Sequence, residues 1–483
     1  MNVLFDVVNK DCKLICSDEQ VFERIRSEFS TENKAKKFAR NKQFIPSKLY
    51  AITPTGIFEP GLVDEIEHVI VAKQLASSIR RSAAFDAIAK PANKAKFYNQ
   101  LSLELRDYQQ QTVNLCIEQG RGMCLLATGA GKTLIMASLV SSFFKDATFK
   151  CLILVPDPGL AVQTYNDFKQ YNVPFKVCAW TGQHKMDESA HVIIANHDIV
   201  LNRFDEHEWI EYVDVLIADE AHTIKKSNKI NKIVAKIKTS SKFGFTGTLP
   251  TDAVDRWNVI GKFGKILIKK TSHELREQSF LANVNAKILK LTYAQQPPKP
   301  IITTDSKGNK LTTAVYRAEL DFIYNSSFRN KIIQQICNGF NNNVLILVNH
   351  LPHGDALHQH LKLHCPDKHV EYIKGEIEID DREIVKQQME IKNDMIVVAM
   401  SSIFSTGVNI KNIHMIIFAA GGKSFIRVVQ SIGRGLRKND NKQKLTIIDL
   451  CDNLKYGNEH AMHRQKIYEQ EKIQFNIVPF IEK

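Results

Sequence analysis

Nine short apolar runs constrain this chain more than any other feature of its sequence. They are MCLLA from Met123, CLILV from Cys151, VIIA from Val192, VLIA from Val215 and FGF from Phe243, then, after a gap, VLILV from Val344, MIVVAM from Met395, MIIFAA from Met415 and LTIIDL from Leu445. Each is followed by polar or glycine-containing residues and then by a helix-like stretch. That order is βα alternation. Because the runs are continuously apolar rather than alternating, they predict strands buried on both faces, as in a parallel sheet covered by helices. The gap predicts two such sheets.

The gap contains Gln295-Gln296-Pro297-Pro298-Lys299-Pro300 and Asp305-Ser306-Lys307-Gly308-Asn309, residue types that mark a linker or a protruding hairpin. At roughly 150 residues per domain, 483 residues suggest about three domains. The expected division is a small amino-terminal α/β domain over 1–95, a first lobe over 96–282, a linker or hairpin over 283–325 and a second lobe over 326–483. A hydrophobic content of 44% with 24% charged residues excludes wholesale disorder. The formal charge of +13 is compatible with a polyanionic partner. In the first domain, Lys34, Lys36, Lys37, Arg40, Lys42 and Lys48 occur with no acid among them, interleaved with Phe38, Phe44 and Tyr50. That pattern suits a nucleic-acid surface and equally a solvated basic face. No apolar run reaches the ~18 residues of a membrane span, so a cytoplasmic protein with no membrane partner is expected. The cysteines are nine and only Cys12 and Cys16 are close together, which favours reduced thiols over disulfides or a zinc site. Histidines at 350, 353, 358 and 360 lack the cysteines or acids that would complete a tetrahedral metal site.

The sharpest local signal is Ala127-Thr128-Gly129-Ala130-Gly131-Lys132-Thr133, which follows a strand-like run and opens the apolar helix LIMASLVSSFF. Glycines let backbone N–H groups close around phosphates at a helix start, Lys132 can reach the β and γ oxygens, and the Thr133 hydroxyl can ligate Mg²⁺. This is a P-loop with Leu126 in its first glycine position. An ordinary glycine-rich turn is the competing reading, and the GKT triplet in its strand-to-helix setting weighs against it. A P-loop needs an acidic strand end to hold the metal and orient water. Asp219-Glu220-Ala221-His222 follows VLIA directly, placing Asp219 as metal partner and Glu220 as the base toward water. Gln430-Ser431-Ile432-Gly433-Arg434-Gly435-Leu436-Arg437 sets two arginines at i and i+3 on one helical face. Such a pair can stabilise charge on a transferring phosphoryl group, although in isolation a solvated basic helix explains it as well.

Taken in order over about residues 100 to 450, these motifs resemble superfamily 2 helicases and translocases. Leu105-Arg106-Asp107-Tyr108-Gln109 looks like the adenine-reading motif, Thr246-Gly247-Thr248 like motif III, Ser402-Ile403-Phe404-Ser405-Thr406-Gly407-Val408-Asn409 like motif V and the arginine segment like motif VI. Within the superfamily the resemblance is to UvsW-type phage helicases, which act on branched DNA. It rests on FSTGVNIKN from Phe404, QSIGRGLRK from Gln430, KFGFTGTL from Lys242 and FEPGLVDEIEH from Phe58.

The resemblance implies two RecA-like parallel-sheet lobes in tandem, with ATP and Mg²⁺ in the cleft between them. Arg106, Tyr108, Gln109, Thr128, Gly129, Ala130, Gly131, Lys132, Thr133, Gly407 and Asn409 would hold the nucleotide, with Thr133 and Asp219 on the metal. Glu220, Gln430, Arg434 and Arg437 would serve hydrolysis; His222, Thr246, Gly247 and Thr248 would couple it to nucleic acid. Pro156, Gly159, Asn196, Ser405 and Thr406 would contact nucleic acid, with backbone amides near Gly159 standing in for the hydroxyl this segment lacks. The implied partner is DNA, forked, branched or single-stranded, held through phosphates without sequence preference. The chain is expected to act as a monomer, in the host cytoplasm if phage-encoded, in replication, recombination or repair. Two other readings stay open, a duplex translocase that does not separate strands and a P-loop protein that uses nucleotide only as a switch.

Overall fold

The structure is a computed structural model that describes residues 2–38, 42–91, 95–98, 101–299, 313–374, 385, 387–401, 412–419 and 444–482. It divides into two compact units, Met1–Ala127 with Gly131–Lys270, and Thr128–Ala130 with Thr271–Lys483.

The first unit opens with strands β1 (Asn2–Val8), β2 (Asp11–Cys16), β3 (Ser30–Glu32), β4 (Lys48–Tyr50) and β5 (Ser78–Arg81). Strand β1 lies between β2, antiparallel, and β5, parallel, while β3 and β4 form a separate antiparallel pair. There follow β6 (Gly122–Leu126), β7 (Cys151–Val155), β8 (Val177–Trp180), β9 (Val192–Asn196), β10 (Val215–Asp219), β11 (Lys242–Thr246) and β12 (Ile266–Lys270). These seven form one sheet in the order β12-β6-β11-β10-β7-β9-β8, every neighbouring pair parallel. The five inner strands are buried at every residue, which is why their sequences are continuously apolar. Helix Lys132–Phe143 is equally enclosed, with all ten residues from Leu134 to Phe143 buried. A helix apolar on all sides is a core helix.

The amino-terminal strands share a core with this sheet. Phe5, Ile25, Ile66 and Phe85 cluster with Trp257 and Ile260, which lie on helix Ala253–Phe263 of the lobe. Gly61 meets that helix so closely that a Cβ would fall 2.2 Å from the Ile260 carbonyl oxygen. Buried Arg121 fastens the same seam by donating to the carbonyls of Ile88 at 2.9 Å, Lys262 at 2.8 Å and Phe263 at 3.3 Å.

The second unit contains β13 (Asn283–Thr292), β14 (Val344–Val348), β15 (His369–Ile373), β16 (Met395–Met400), β17 (Met415–Phe418), β18 (Lys444–Asp452) and β19 (Gln474–Ile481). They form a second all-parallel sheet, β15-β16-β14-β17-β18-β13-β19. The stretch 283–325, expected as linker or hairpin, differs from that expectation at both ends. Its first ten residues are β13, paired with β18 and β19, and helix Thr313–Tyr324 occupies its end. Strand β13 alternates exposed and buried residues over much of its length, so no continuous apolar run announced it. The architecture is thus two parallel seven-stranded sheets in tandem with a small amino-terminal α/β region. Among the described residues no helix is long and apolar enough to cross a membrane, and all nine cysteines are free.

Candidate nucleotide-binding and hydrolysis site

In a parallel sheet every strand ends on the same edge, so strand order decides which loops meet. Here β6, β11 and β10 are consecutive neighbours. Their carboxyl ends carry the P-loop, the Thr246-Gly247-Thr248 segment and Asp219-Glu220, segments 87 or more residues from the P-loop in two of the three cases by sequence number and adjacent in space. Ligands of open α/β sheets bind beyond these ends.

The P-loop turns tightly. Gly129 and Gly131 have φ of 86° and 77°, left-handed values that suit glycine, and Gly131 caps helix Lys132–Phe143. Gln109 lies against this turn, since a Cβ on Gly131 would fall 2.4 Å from its Nε2. The same buried side chain accepts from the Arg106 N–H through Oε1 at 2.9 Å, securing the start of helix Asp107–Gln119, and Arg106 reaches the Tyr108 hydroxyl at 3.2 Å. The three residues expected to read adenine therefore form one connected group beside the phosphate loop.

Lys132 Nζ donates to Glu220 Oε1 at 2.8 Å and stands 4.0 Å from Asp219 Oδ1. Glu220 Oε2 lies 3.4 Å from His222 Nδ1, and His222 Nδ1 lies 2.8 Å from Thr246 Oγ1. Thr246 Oγ1 donates its one hydrogen to the Thr248 carbonyl at 2.9 Å, so it must accept from His222, and Nδ1 is the protonated ring nitrogen. A continuous polar chain thus runs from P-loop lysine to motif III. Glu220 adopts φ 47°, ψ 46°, a left-handed conformation that costs a non-glycine residue on the order of 1 kcal/mol or more. It is held there by its N–H on Asp219 Oδ1 at 2.9 Å and by Thr223, whose N–H at 2.9 Å and hydroxyl at 2.8 Å both donate to its carbonyl.

The two carboxylates face different surroundings. Burial lifts Asp219 to about 6, with Glu220 adding to the rise and Lys132 opposing it. Burial also works against ionisation of Glu220, but Lys132 and His222 outweigh it and hold that carboxyl well below the usual range. Among the described residues no cluster of three His, Cys, Asp or Glu side chains suits a metal. Mg²⁺ at phosphate sites takes one or two protein oxygens and completes its shell with phosphates and water, and Asp219 and the Thr133 hydroxyl could supply such oxygens.

Of the expected nucleic-acid contacts, Pro156 follows β7 and Asn196 ends β9, with Asn196 paired in register with Val155. Both lie on the carboxyl edge of the same sheet as the nucleotide loops. Asn196 is buried and its Oδ1 has no hydrogen-bond partner among the described residues. Gly159 lies in the first turn of helix Pro158–Gln170, capped by Asp157 Oδ1 accepting from Leu160 N–H at 3.0 Å. Ser405, Thr406, Gly407, Asn409, Gln430, Arg434 and Arg437 lie outside the described residues. Sequence reasoning missed Arg121, Lys242 and Lys262, buried cations at the amino-terminal seam, because nothing in a single basic residue beside a strand distinguishes it from a surface one.

Residues 102–251 match the family model "Type III restriction enzyme, res subunit" and residues 328–439 match "Helicase conserved C-terminal domain". The ATP-dependent DNA helicase uvsW of Enterobacteria phage T4 is 28% identical over 394 residues, covering 76% of this chain and 76% of that protein. The putative ATP-dependent helicase IRC3 of Saccharomyces cerevisiae is 27% identical over 364 residues, covering 71% of this chain and 51% of that one. Among solved structures, a fragment of a putative HsdR subunit of a type I restriction enzyme from Vibrio vulnificus shares the fold at a TM-score of 0.58 and 15% identity, over 80% of this chain and 70% of that one. With two parallel sheets, a P-loop facing a DEAH strand end and these matches, the chain belongs to the superfamily 2 helicases and translocases and is an ATP-hydrolysing helicase. Within that superfamily it resembles the UvsW type.

Proposed function

We propose that ATP hydrolysis at this site drives movement on DNA, with forked or branched DNA as the substrate. The observation that carries the reading is the polar chain Lys132–Glu220–His222–Thr246, which joins the phosphate loop to the segment assigned to coupling. In this reading Lys132 leaves Glu220 for the β and γ phosphates when nucleotide binds. Glu220 is thereby released to orient water, with His222 still beside it to favour its ionised form. Thr133 and Asp219 hold Mg²⁺, whose charge favours loss of the Asp219 proton. Gln109, with Arg106 and Tyr108, reads the base, and Arg434 and Arg437, assisted by Gln430, Gly407 and Asn409, stabilise charge on the transferring phosphoryl group. DNA lies along Pro156, Gly159, Asn196, Ser405 and Thr406 through its phosphates. The setting is the cytoplasm, that of the host if phage-encoded, in replication, recombination or repair, with the chain acting as a monomer.

The likeness to UvsW, a DNA helicase, supports DNA as the track. ATP turnover measured with single-stranded, duplex, forked and four-way-junction DNA and with RNA tests the proposal. Forked and junction DNA are expected to stimulate most, and Glu220→Gln to lose roughly 10²-fold or more of turnover while still binding nucleotide. Lys132→Ala should lose both. Equal turnover with and without every nucleic acid would remove the motor reading. The match to a restriction subunit supports a second reading, duplex tracking without strand separation. Triplex displacement without strand displacement would favour it.

A further inference from the structure

Where the amino-terminal strands meet the first lobe, the structure has a cleft of about 480 Å³ that is partly open to solvent. It lies at the opposite end of the sheet from the nucleotide loops. Arg121 immediately precedes β6 and Lys242 begins β11, the two strands whose far ends carry the P-loop and motif III. Five residues at ~3.3 Å each separate the two edges by about 15 Å, so this is a different site.

The lining is strongly cationic. Lys10, Arg121, Lys226, Lys238, Lys242 and Lys262 face it, against Asp11 and Glu59 as the only acids among the described residues that line it. Three of these cations are more than nine-tenths buried, Arg121 at 5% exposure, Lys262 at 6% and Lys242 at 9%. The structure satisfies their hydrogens largely with neutral carbonyls. Arg121 donates to three backbone oxygens, and Lys242 donates to those of Val234 at 3.1 Å and Ile237 at 2.7 Å. Of the three, only Lys262 has a carboxylate partner, Glu59. The buried wall therefore carries three basic side chains against one carboxylate. Carbonyl dipoles solvate such charges but do not neutralise them, and buried charge in folded proteins is ordinarily paired. Burial, with Arg121 and Lys262 close by, holds Lys242 down to about 7, the response of a lysine that lacks a counterion. At the more exposed part of the lining, Lys10 and Lys226 have no ion-pair partner among the described residues, and Ser240 adds a hydroxyl.

We propose that this cleft is an anion site that takes a phosphate group. With Lys242 protonated, the form a neighbouring anion favours, the buried surplus is two charges, which matches a multiply charged oxyanion better than chloride or a lone carboxylate, and the volume admits a diphosphate or a nucleotide-sized group. The chemistry is shared by a phosphate of the DNA backbone and by a free polyphosphate. Neither source requires hydrolysis at the P-loop, so the site stands or falls apart from the motor reading.

The test uses the full chain with its P-loop saturated by a non-hydrolysable ATP analogue and Mg²⁺. Inorganic pyrophosphate is titrated at constant ionic strength while the thermal midpoint is read. The midpoint is expected to rise by about 2–4 °C at saturation. Lys132→Ala should keep that rise, whereas the double variant Lys10→Glu with Lys226→Glu, both exposed and outside any core, should lose more than half of it. Lys242→Met should lose it entirely if the protein folds. Fork binding measured with and without pyrophosphate identifies the source: competition marks a DNA phosphate, and unchanged fork affinity marks a free anion. No rise, or an equal rise in the double glutamate variant, would overturn the proposal.

Discussion

Side chains of one type behave differently here according to what faces them. Asp219 and Glu220 are adjacent, yet Asp219 is raised by burial while Glu220 is lowered by Lys132 and His222. Carboxyls whose surroundings push their proton affinities apart in this way are suited to different tasks. Lys242 shows the same rule for a cation, and its consequence can be measured on stability. Its folded value is about 7 against an ordinary value near 10.4 in the unfolded chain, so between those pH values the unfolded chain holds the extra proton. Raising the pH through this window therefore favours the folded state, and below 7 the native protein carries the full cost of the buried charge. Denaturant unfolding should show wild type gaining on the order of 3 kcal/mol relative to Lys242→Met between pH 7 and pH 10. Parallel pH profiles for the two proteins would overturn this, since they require Lys242 to hold its proton as firmly in the fold as in the unfolded chain.

At the level of elements, burial decides what the sequence discloses. All nine apolar runs became strands, and they are the inner ones: β6, β11, β10, β7 and β9 in the first sheet, β16, β14, β17 and β18 in the second. Within these two sheets the five strands that were not read, β12, β8, β15, β13 and β19, sit at or next to sheet edges. Edge strands have a neighbouring strand on one side only, and Ile266–Lys270 and Gln474–Ile481 mix exposed and half-buried residues and carry no continuous apolar signal. The P-loop, Asp219-Glu220 and Thr246-Gly247-Thr248 were legible because each requires particular residues at a strand end. The polar chain through His222 was only half legible: the residue types were visible, their hydrogen bonds were not. The seam was invisible, since its key residue is a glycine with an ordinary backbone. Gly61 matters for space alone: an added methyl would meet Ile260 O at 2.2 Å, Gly261 O at 2.7 Å and Gly264 N at 2.7 Å, all backbone atoms of one helix and its end. Gly61→Ala is accordingly expected to lower unfolding free energy by ~2–3 kcal/mol in chemical denaturation, through a forced separation of the two surfaces. A loss below ~0.5 kcal/mol would mean that the seam is loose.

For the whole molecule, the shared core changes how the amino-terminal region can be tested. Removing residues 1–95 would uncover Trp257 and Ile260, which are 8% and 1% exposed in the intact chain, and would take the Ile88 carbonyl from Arg121. Such a truncation should destabilise the first lobe and lose ATP turnover and fork binding together, whether or not the region touches DNA. A single exposed side chain separates the two roles. Phe44 is 86% exposed in the basic segment, and nearby Tyr50, 39% exposed, is covered by the Arg26 guanidinium 3.9 Å from its ring centre. An aromatic ring left in water beside lysines is the combination that stacks on unpaired bases, with ~1–3 kcal/mol per base at stake. Phe44→Ala is therefore expected to weaken fork binding roughly tenfold. Its thermal midpoint and DNA-free ATP turnover should match wild type, because an exposed side chain supports no core. Both affinities are best measured at two salt concentrations. With a chain of formal charge +13, phosphate contacts give binding that falls steeply as salt rises, whereas the stacking contribution of Phe44 persists. If the variant binds forks as tightly as wild type at both salts, the aromatic surface has no part in holding DNA and the basic face around it is simply solvated.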